Sequence, residues 1–169
     1  MRKPTRVPGR VERVRELKSR GPWPTKSEAE LMVRFALTQD DLQGFFDYDP
    51  EELALVPEDI RGLRSYTVRG IPEGKIGGTE FHLVREEMVF GLEGEVWWEC
   101  EDVWGGKREF ILTPETGVWM PPYVLHTYRA RQAGSGLLVV CNTLFNADNR
   151  TTYDSPPIEA FRELQGAYR

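Results

Sequence analysis

From Leu63 to Thr143 the apolar residues of this chain recur with a period of two, in short runs separated by turn signals. The runs are Leu63–Arg69, Glu80–Val84, Glu87–Leu92, Glu95–Cys100, Lys107–Leu112, Gly117–Met120, His126–Ala130 and Leu137–Thr143. Between them stand Pro72-Glu73-Gly74, Gly77-Gly78, Glu93-Gly94, Gly105-Gly106, Pro114-Glu115-Thr116-Gly117 and Gly134-Ser135-Gly136. Such alternation puts every second side chain on one face of a strand. The gaps are too short for the helices that parallel crossovers need, so an antiparallel sandwich or barrel is predicted.

Helical patterns flank this stretch. Val11–Ser19 is expected to form a short helix with Val14 and Leu17 on one face, ended by Gly21-Pro22-Trp23-Pro24. Ser27-Glu28-Ala29-Glu30 reads as a capping box, and Ala29, Met32, Val33, Ala36 and Leu37 follow at helical spacing. A turn of helix is expected around Pro50–Leu53, and an amphipathic helix at Ile158–Gln165. The chain therefore divides into a basic N-terminal extension with a helix, residues 1–38, and one β-barrel domain with a short C-terminal helix, residues 39–169.

At 169 residues the chain can bury a proper core. No apolar run approaches a membrane span and no apolar h-region follows the basic start, so neither a membrane partner nor a signal peptide is expected. Cys100 and Cys141 fall in apolar runs, which predicts buried thiols and a cytoplasmic setting. The net charge of −5 is uneven: residues 1–24 hold eight Lys/Arg against two Glu, a balance of +6, which leaves −11 on the rest. An acidic body argues against nucleic acid as the ligand. The basic segment reads as a solvated tail or as a contact for an anionic neighbour.

The chemistry-bearing residues cluster at residues 74–126, where the chain's two histidines lie. Strand periodicity places Glu80 and His82 on one face. A bend at Val84–Glu86 would turn Glu87 inward; without one, Glu86 faces the site. His126 follows Pro121-Pro122, whose rigidity can aim it. Glu80, His82, Glu87 and His126 form a complete set for one divalent metal (Mn, Fe, Co, Ni or Zn), and equally a set for metal-free proton transfer. Tyr66, Trp98 and Tyr128 are candidate pocket residues. Trp97 and Trp98 point to opposite faces, so one of them lines the barrel. Gly77 and Gly78 read as strand-entry geometry, since no helix follows to make a phosphate cradle.

The pattern Gly74-x5-Glu80-x-His82-x4-Glu87-x6-Gly94 resembles the first cupin motif with glutamate at its first histidine. Gly117-x3-Pro121-x-Tyr123-x2-His126 resembles the second, with tyrosine where that motif has its second glycine. Within the cupins the chain is most similar to the TDP-4-keto-6-deoxysugar 3,4-ketoisomerases and related polysaccharide-biosynthesis proteins. That similarity runs through Val56–Ile60, Ile71–Gly74, Pro121–His126 and Phe145–Tyr153 and covers about residues 40–165. The ketoisomerase motif reads Arg-Gly-x-His-x-His; here Gly77 stands at the arginine, which that family places near the sugar nucleotide's diphosphate, and Glu80 at the first histidine. A second resemblance, to the cupin-type phosphosugar isomerases of archaea, rests on Pro121-Pro122-Tyr123 before His126 and on the metal-like set.

The resemblance implies an all-β fold, the antiparallel double-stranded β-helix or cupin jelly-roll barrel, and a carbohydrate isomerase or epimerase acting on a nucleotide-linked keto-sugar. In that reading His82 is the base, Glu80 orients it or shares its proton, and His126 or Tyr123 steadies or reprotonates the enediolate. Two alternatives stand beside it. One is a metal-dependent cupin enzyme, of phosphosugar-isomerase, lyase or dioxygenase type, using Glu80, His82, Glu87 and His126. The other is a non-catalytic sugar-binding cupin. Sheet edges in such barrels are commonly covered by a second subunit, so a homodimer is expected.

Overall fold

The computed structural model describes residues 3–169. In chain order the strands are β1 (Arg15–Lys18), β2 (Arg20–Pro24), β3 (Glu30–Val33), β4 (Arg61–Ile71), β5 (Ile76–Glu80), β6 (Glu87–Glu93), β7 (Val96–Glu101), β8 (Lys107–Leu112), β9 (Thr116–Met120), β10 (Leu125–Ala130) and β11 (Ser135–Thr143). The helices are α1 (Gln39–Phe45), α2 (Pro50–Leu53) and α3 (Ile158–Tyr168). One sheet runs β1-β9-β6-β11-β4, a second runs β5-β10-β7-β8, and β2-β3 form a separate hairpin. Every pairing is antiparallel.

Period-two alternation builds the space between the two sheets. From β7, Val96, Trp98 and Cys100 turn inward; they meet Val89, Val118, Leu137 and Val139 from the opposite sheet. Burying each such side chain fully contributes about 1.5–3 kcal/mol. Trp97, on the other parity, lies on the outer surface beside Arg129. Both cysteines are buried free thiols, as expected.

β6 is buried on both faces, because the N-terminal segment covers its outside. Met88 and Phe90 pack there with Leu17, Phe45 and Trp119, and the Phe35 ring stacks on Phe90 at 5.1 Å. This covering corrects both N-terminal helix expectations. Val11–Ser19 is a 3-10 turn at Val11–Arg13 followed by β1, which takes the free edge of β9 with Arg15 opposite Trp119. The edge supplies the hydrogen bonds that a helix would have supplied internally.

No helix forms over Ser27–Leu37 either. The Thr25 hydroxyl contacts Ser27 and bonds the amide and carbonyl of Ala29, making a turn between β2 and β3. The capping box lies further on, where Thr38 accepts from the Asp41 amide and Asp41 accepts from the Thr38 amide. Helix α1, which that box starts, was not anticipated from the sequence. The Pro50–Leu53 turn and the terminal helix form as expected, the latter reaching Tyr168.

The predicted strand Glu80–Val84 stops at Glu80. Beyond it the amides of Leu83, Val84 and Arg85 donate to the carboxylate of Asp154, at 2.7–3.0 Å. With those donors satisfied off the sheet, the chain bends through 81–86 before β6. That bend shapes the site.

Candidate active site

Strand β10 carries His126 and sets it opposite Glu80 on β5 and Cys100 on β7. Both histidines are buried, with ring centroids 5.2 Å apart. The Trp98 indole lies parallel to the His126 ring at 5.2 Å, and Tyr128 stacks on Trp98 at 6.0 Å. The bend at 81–86 turns Glu87 inward, as one of the two anticipated arrangements required. Glu87 Oε2 is 3.6 Å from His82 Nε2 and 3.8 Å from His126 Nε2. Glu80 Oε1 is 3.9 Å from His126 Nε2. Glu86 goes the other way and accepts from the Trp119 indole at 2.8 Å.

Two connected cavities open above these groups. The inner one, about 110 Å³, is walled by Tyr66, Glu80, Glu87, Trp98, His126 and Tyr128. All three anticipated pocket residues therefore line it. The outer one, about 340 Å³, shares Tyr66 and Glu80 and adds Arg64, Arg85, Phe145, Tyr153 and Ser155. His126 faces the inner cavity; His82 lines neither and sits behind it. Of the two imidazoles, His126 is the one in the wall of the inner cavity.

Tyr123 is the anticipated site residue that the fold places elsewhere. Its ring packs with Phe81, Leu125 and Phe161, and its hydroxyl donates to Glu52 Oε1 at 2.7 Å. Its link to the site is through the backbone. At φ 65° its amide donates to the His82 carbonyl at 2.8 Å, tying the two sequence halves together. Tyr123 entered the expected site through the motif resemblance, and the left-handed turn after Pro121-Pro122 directs its ring away from His126.

Several site residues carried no signal in the sequence. Arg85 is buried, with Nε 3.3 Å from Glu87 Oε1 and Nη2 3.0 Å from His82 Nε2. Asp154, in the left-handed region at φ 53°, binds the bend with its carboxylate and meets His82 Nδ1 with its carbonyl at 2.7 Å. Ser155 donates to Glu80 Oε2 at 3.0 Å. The contacts of Asp154 and Ser155 span about seventy residues, so no local pattern could announce them, and Arg85 meets His82 and Glu87 because the bend at 81–86 turns it inward.

The electrostatics follow from this geometry. The neighbouring His126 imidazole, 3.9 Å away, is the main reason the Glu80 carboxyl is held down at about 2. Burial pushes Glu87 up, but Arg85 and the histidines outweigh it and hold the group well below the usual carboxylate range. Burial lowers Arg85, yet Glu87 reverses the sign and keeps it cationic. Burial raises the Glu86 carboxyl. Tyr66, buried beside Glu87, is raised too, so its phenol stays protonated.

The metal-ligand reading can be tested on these residues. Donor atoms of Glu80, His82 and His126 lie within 4.8 Å of one another, and Glu87 completes four. Their spacing approaches the roughly 3.3 Å between ligands of a tetrahedral ion. The charge does not fit. Arg85 already occupies this cluster, its Nη2 between the two ring nitrogens of His82, 2.9 Å from Nδ1 and 3.0 Å from Nε2. Unit charges 4 Å apart interact by roughly 4 kcal/mol near a protein surface, and a dication doubles that repulsion.

The departure at Gly77 also has a physical cause. The Tyr128 ring lies across Gly77, so a Cβ there would collide with it. An arginine cannot occupy this position while Tyr128 walls the cavity. The cations at the mouth come from elsewhere: Arg64, between the Tyr66 and Phe145 rings at 5.3 and 4.4 Å, and Arg85.

Comparison with solved structures supports one architecture. The sugar 3,4-ketoisomerase QdtA from Thermoanaerobacterium thermosaccharolyticum in complex with TDP is 15% identical with a TM-score of 0.64, covering 95% of this chain and 100% of its own. A variant of that enzyme in complex with TDP-4-keto-6-deoxyglucose is 17% identical with a TM-score of 0.58, covering 91% and 97%. The fold is the RmlC-like cupin barrel. A dTDP-4-dehydrorhamnose 3,5-epimerase from Bacillus anthracis, with TDP and PPi bound, shares this cupin fold at 11% identity and a TM-score of 0.61, covering 86% and 80%. No family model matches the chain. No curated protein matches it either. Within the cupin barrel, the expected jelly roll stands, and its site lies between the two sheets at the mouth of β4, β5 and β10.

Proposed function

We propose that the protein is an isomerase or epimerase of a nucleotide-linked keto-sugar, working by proton transfer next to a carbonyl. The observation that carries this reading is His126: a buried imidazole stacked on Trp98, with Nε2 toward the inner cavity and two carboxylates beside it. Among the described residues His126 Nδ1 meets the Val124 carbonyl, at 3.3 Å, which as an acceptor places the proton on Nδ1 and leaves the Nε2 lone pair for substrate. An imidazole suits this task because an effective general base has a pKa near the working pH.

In this scheme His126 removes the proton from the carbon beside the ketone, giving an enediolate. A proton then returns to the former carbonyl carbon, and the proton of the neighbouring hydroxyl passes to the former carbonyl oxygen, so the carbonyl moves and composition is unchanged. Glu80, 3.9 Å from His126 Nε2 and open to both cavities, is the group that relays protons. Tyr66, kept protonated, and the Arg85 cation face the cavities where the oxyanion develops. Assigning the base to His126 moves it from His82, which lies against Arg85 and lines neither cavity.

The outer cavity supports the nucleotide-linked part. Arg64 has an Nε without a hydrogen-bond partner and sits over aromatic rings, a suitable place for a phosphate group. The structural neighbours bound to TDP and to TDP-4-keto-6-deoxyglucose support the same class. A cytoplasmic setting accords with the free thiols. A homodimer accords with the exposed Trp23 and Leu31 on the β2-β3 hairpin. Among the described residues no helix is long and apolar enough to cross a membrane.

The test is incubation with TDP-4-keto-6-deoxyglucose followed by NMR of the product. A migrated ketone or an inverted centre is expected. Saturable binding without any product would replace this reading with that of a sugar-sensing cupin.

A further inference from the structure

We infer that Arg85 is a resident cation closing a latent metal site, so that removing its guanidinium converts the cluster into one that takes a divalent ion. The inference stands on the site's geometry alone and is independent of which sugar the protein handles. Three observations carry it.

First, the donors are already assembled. Glu87 Oε2, His82 Nε2, His126 Nε2 and Glu80 Oε1 are linked by separations of 3.6–3.9 Å. Both imidazoles hold Nδ1 against a backbone carbonyl, Asp154 for His82 and Val124 for His126. That is the support by which metal-binding histidines are oriented to present Nε2.

Second, the guanidinium occupies the side of the cluster that an ion would need. Arg85 Nη2 is 2.9 Å from His82 Nδ1 and 3.0 Å from its Nε2, and Nε is 3.3 Å from Glu87 Oε1. It thereby lies against two of the four donor residues. Arginine cannot vacate the place by losing its proton, because its charge persists at any ordinary pH.

Third, the charges balance poorly without a cation. Glu80 and Glu87 bring two negative charges into a largely buried cluster, and Arg85 returns one. A dication in its stead would neutralise both carboxylates. Arginine is held here by the same groups that would hold the ion, so metal and guanidinium are alternatives.

The experiment titrates untagged, chelator-treated protein with Zn²⁺ by calorimetry and with Co²⁺ by visible absorption, which reports coordination directly. The unaltered protein is expected to bind less than one tenth of an equivalent, on the order of background. Arg85→Met is expected to bind one equivalent at least about 100-fold more tightly, with a new Co²⁺ band. Arg85→Lys retains the charge and is expected to gain nothing. Arg85→Met/Glu87→Gln loses a donor and should give back most of the gained affinity.

Arg85→Met leaves Glu87 uncompensated and can fail to fold. Arg85→Gln, which keeps a hydrogen-bond donor for Glu87, then serves in its place, and Zn²⁺ is expected to raise its melting temperature. Stoichiometric tight binding by the unaltered protein would overturn the inference. So would folded Arg85→Met or Arg85→Gln protein that binds no better than the unaltered chain, or a gain that survives Glu87→Gln undiminished.

Discussion

The backbone carbonyl of Asp154 lies 2.7 Å from Nδ1 of His82. A carbonyl can only accept, so this contact puts the His82 proton on Nδ1, while Arg85 Nη2 lies between the two ring nitrogens, 2.9 Å from Nδ1 and 3.0 Å from Nε2. The same residue's carboxylate takes three amides of the bend that carries His82. One residue from the end of the chain thus fixes both the path of the bend and the tautomer of the ring.

Replacing Asp154 with Ala should therefore reach further than an exposed turn residue would. Three amides lose a charged acceptor, and the expected cost is about 2–4 kcal/mol in urea unfolding. Asp154→Asn, which can still accept through one oxygen, should lose about half as much. Equal and negligible losses for the two would show that the bend holds itself.

The neighbours Glu86 and Glu87 should respond with opposite signs. Glu87→Gln leaves buried Arg85 without its ion pair, for an expected loss of roughly 3–5 kcal/mol. Glu86→Gln removes a carboxylate whose charge burial disfavours, while its amide oxygen can still accept from Trp119. That variant should be neutral or up to about 1 kcal/mol more stable at pH 7. Thermal melts of both variants check the pair; a larger loss for Glu86→Gln would reverse the assignment of which residue faces the site.

Glu80 makes acid stability a readout of the site. Its folded carboxyl is depressed to about 2, chiefly by the neighbouring His126 imidazole. A depressed acid contributes stability fully above its unfolded value, and that contribution disappears as pH falls through the folded one. The stability difference between the unaltered protein and Glu80→Gln should be constant above about pH 5 and shrink between about pH 4 and 2. A difference that stays flat throughout would mean that the Glu80–His126 contact does not form.

Tyr123 offers a control that separates structure from chemistry. Its hydroxyl serves Glu52, away from the cavities. Tyr123→Phe should cost about 1–2 kcal/mol of stability and leave turnover within about twofold. A loss of turnover of about 100-fold with unchanged stability would return Tyr123 to the reaction.

Much of this protein was readable from residue order. Strict alternation at Val96, Trp98 and Cys100 placed the barrel wall, and the glycine-bearing turns bounded nearly every strand between β4 and β11. The two histidine half-sites met because antiparallel pairing sets His126 opposite Glu80. The failures share a cause. At Ala29–Leu37 the apolar residues fit a helical stripe, yet Phe35 and Leu37 lie on the outside of β6, where tertiary burial outweighs the helical spacing. At 81–86 strand parity breaks because Asp154, about seventy residues later, takes the amides. Arg85 was invisible for the same reason: an arginine beside two glutamates reads as a solvated surface until the bend buries it.

The central claim is that His126 moves a proton on a carbon beside a sugar ketone. Mass spectrometry of TDP-4-keto-6-deoxyglucose incubated with the protein in D₂O measures this most directly. The unaltered protein should introduce deuterium at the carbon next to the carbonyl. His126→Ala should slow that exchange by about 10²–10⁴-fold, while His82→Gln retains a larger share. No deuterium uptake by folded protein that binds the nucleotide sugar, or uptake undiminished in His126→Ala, would contradict it.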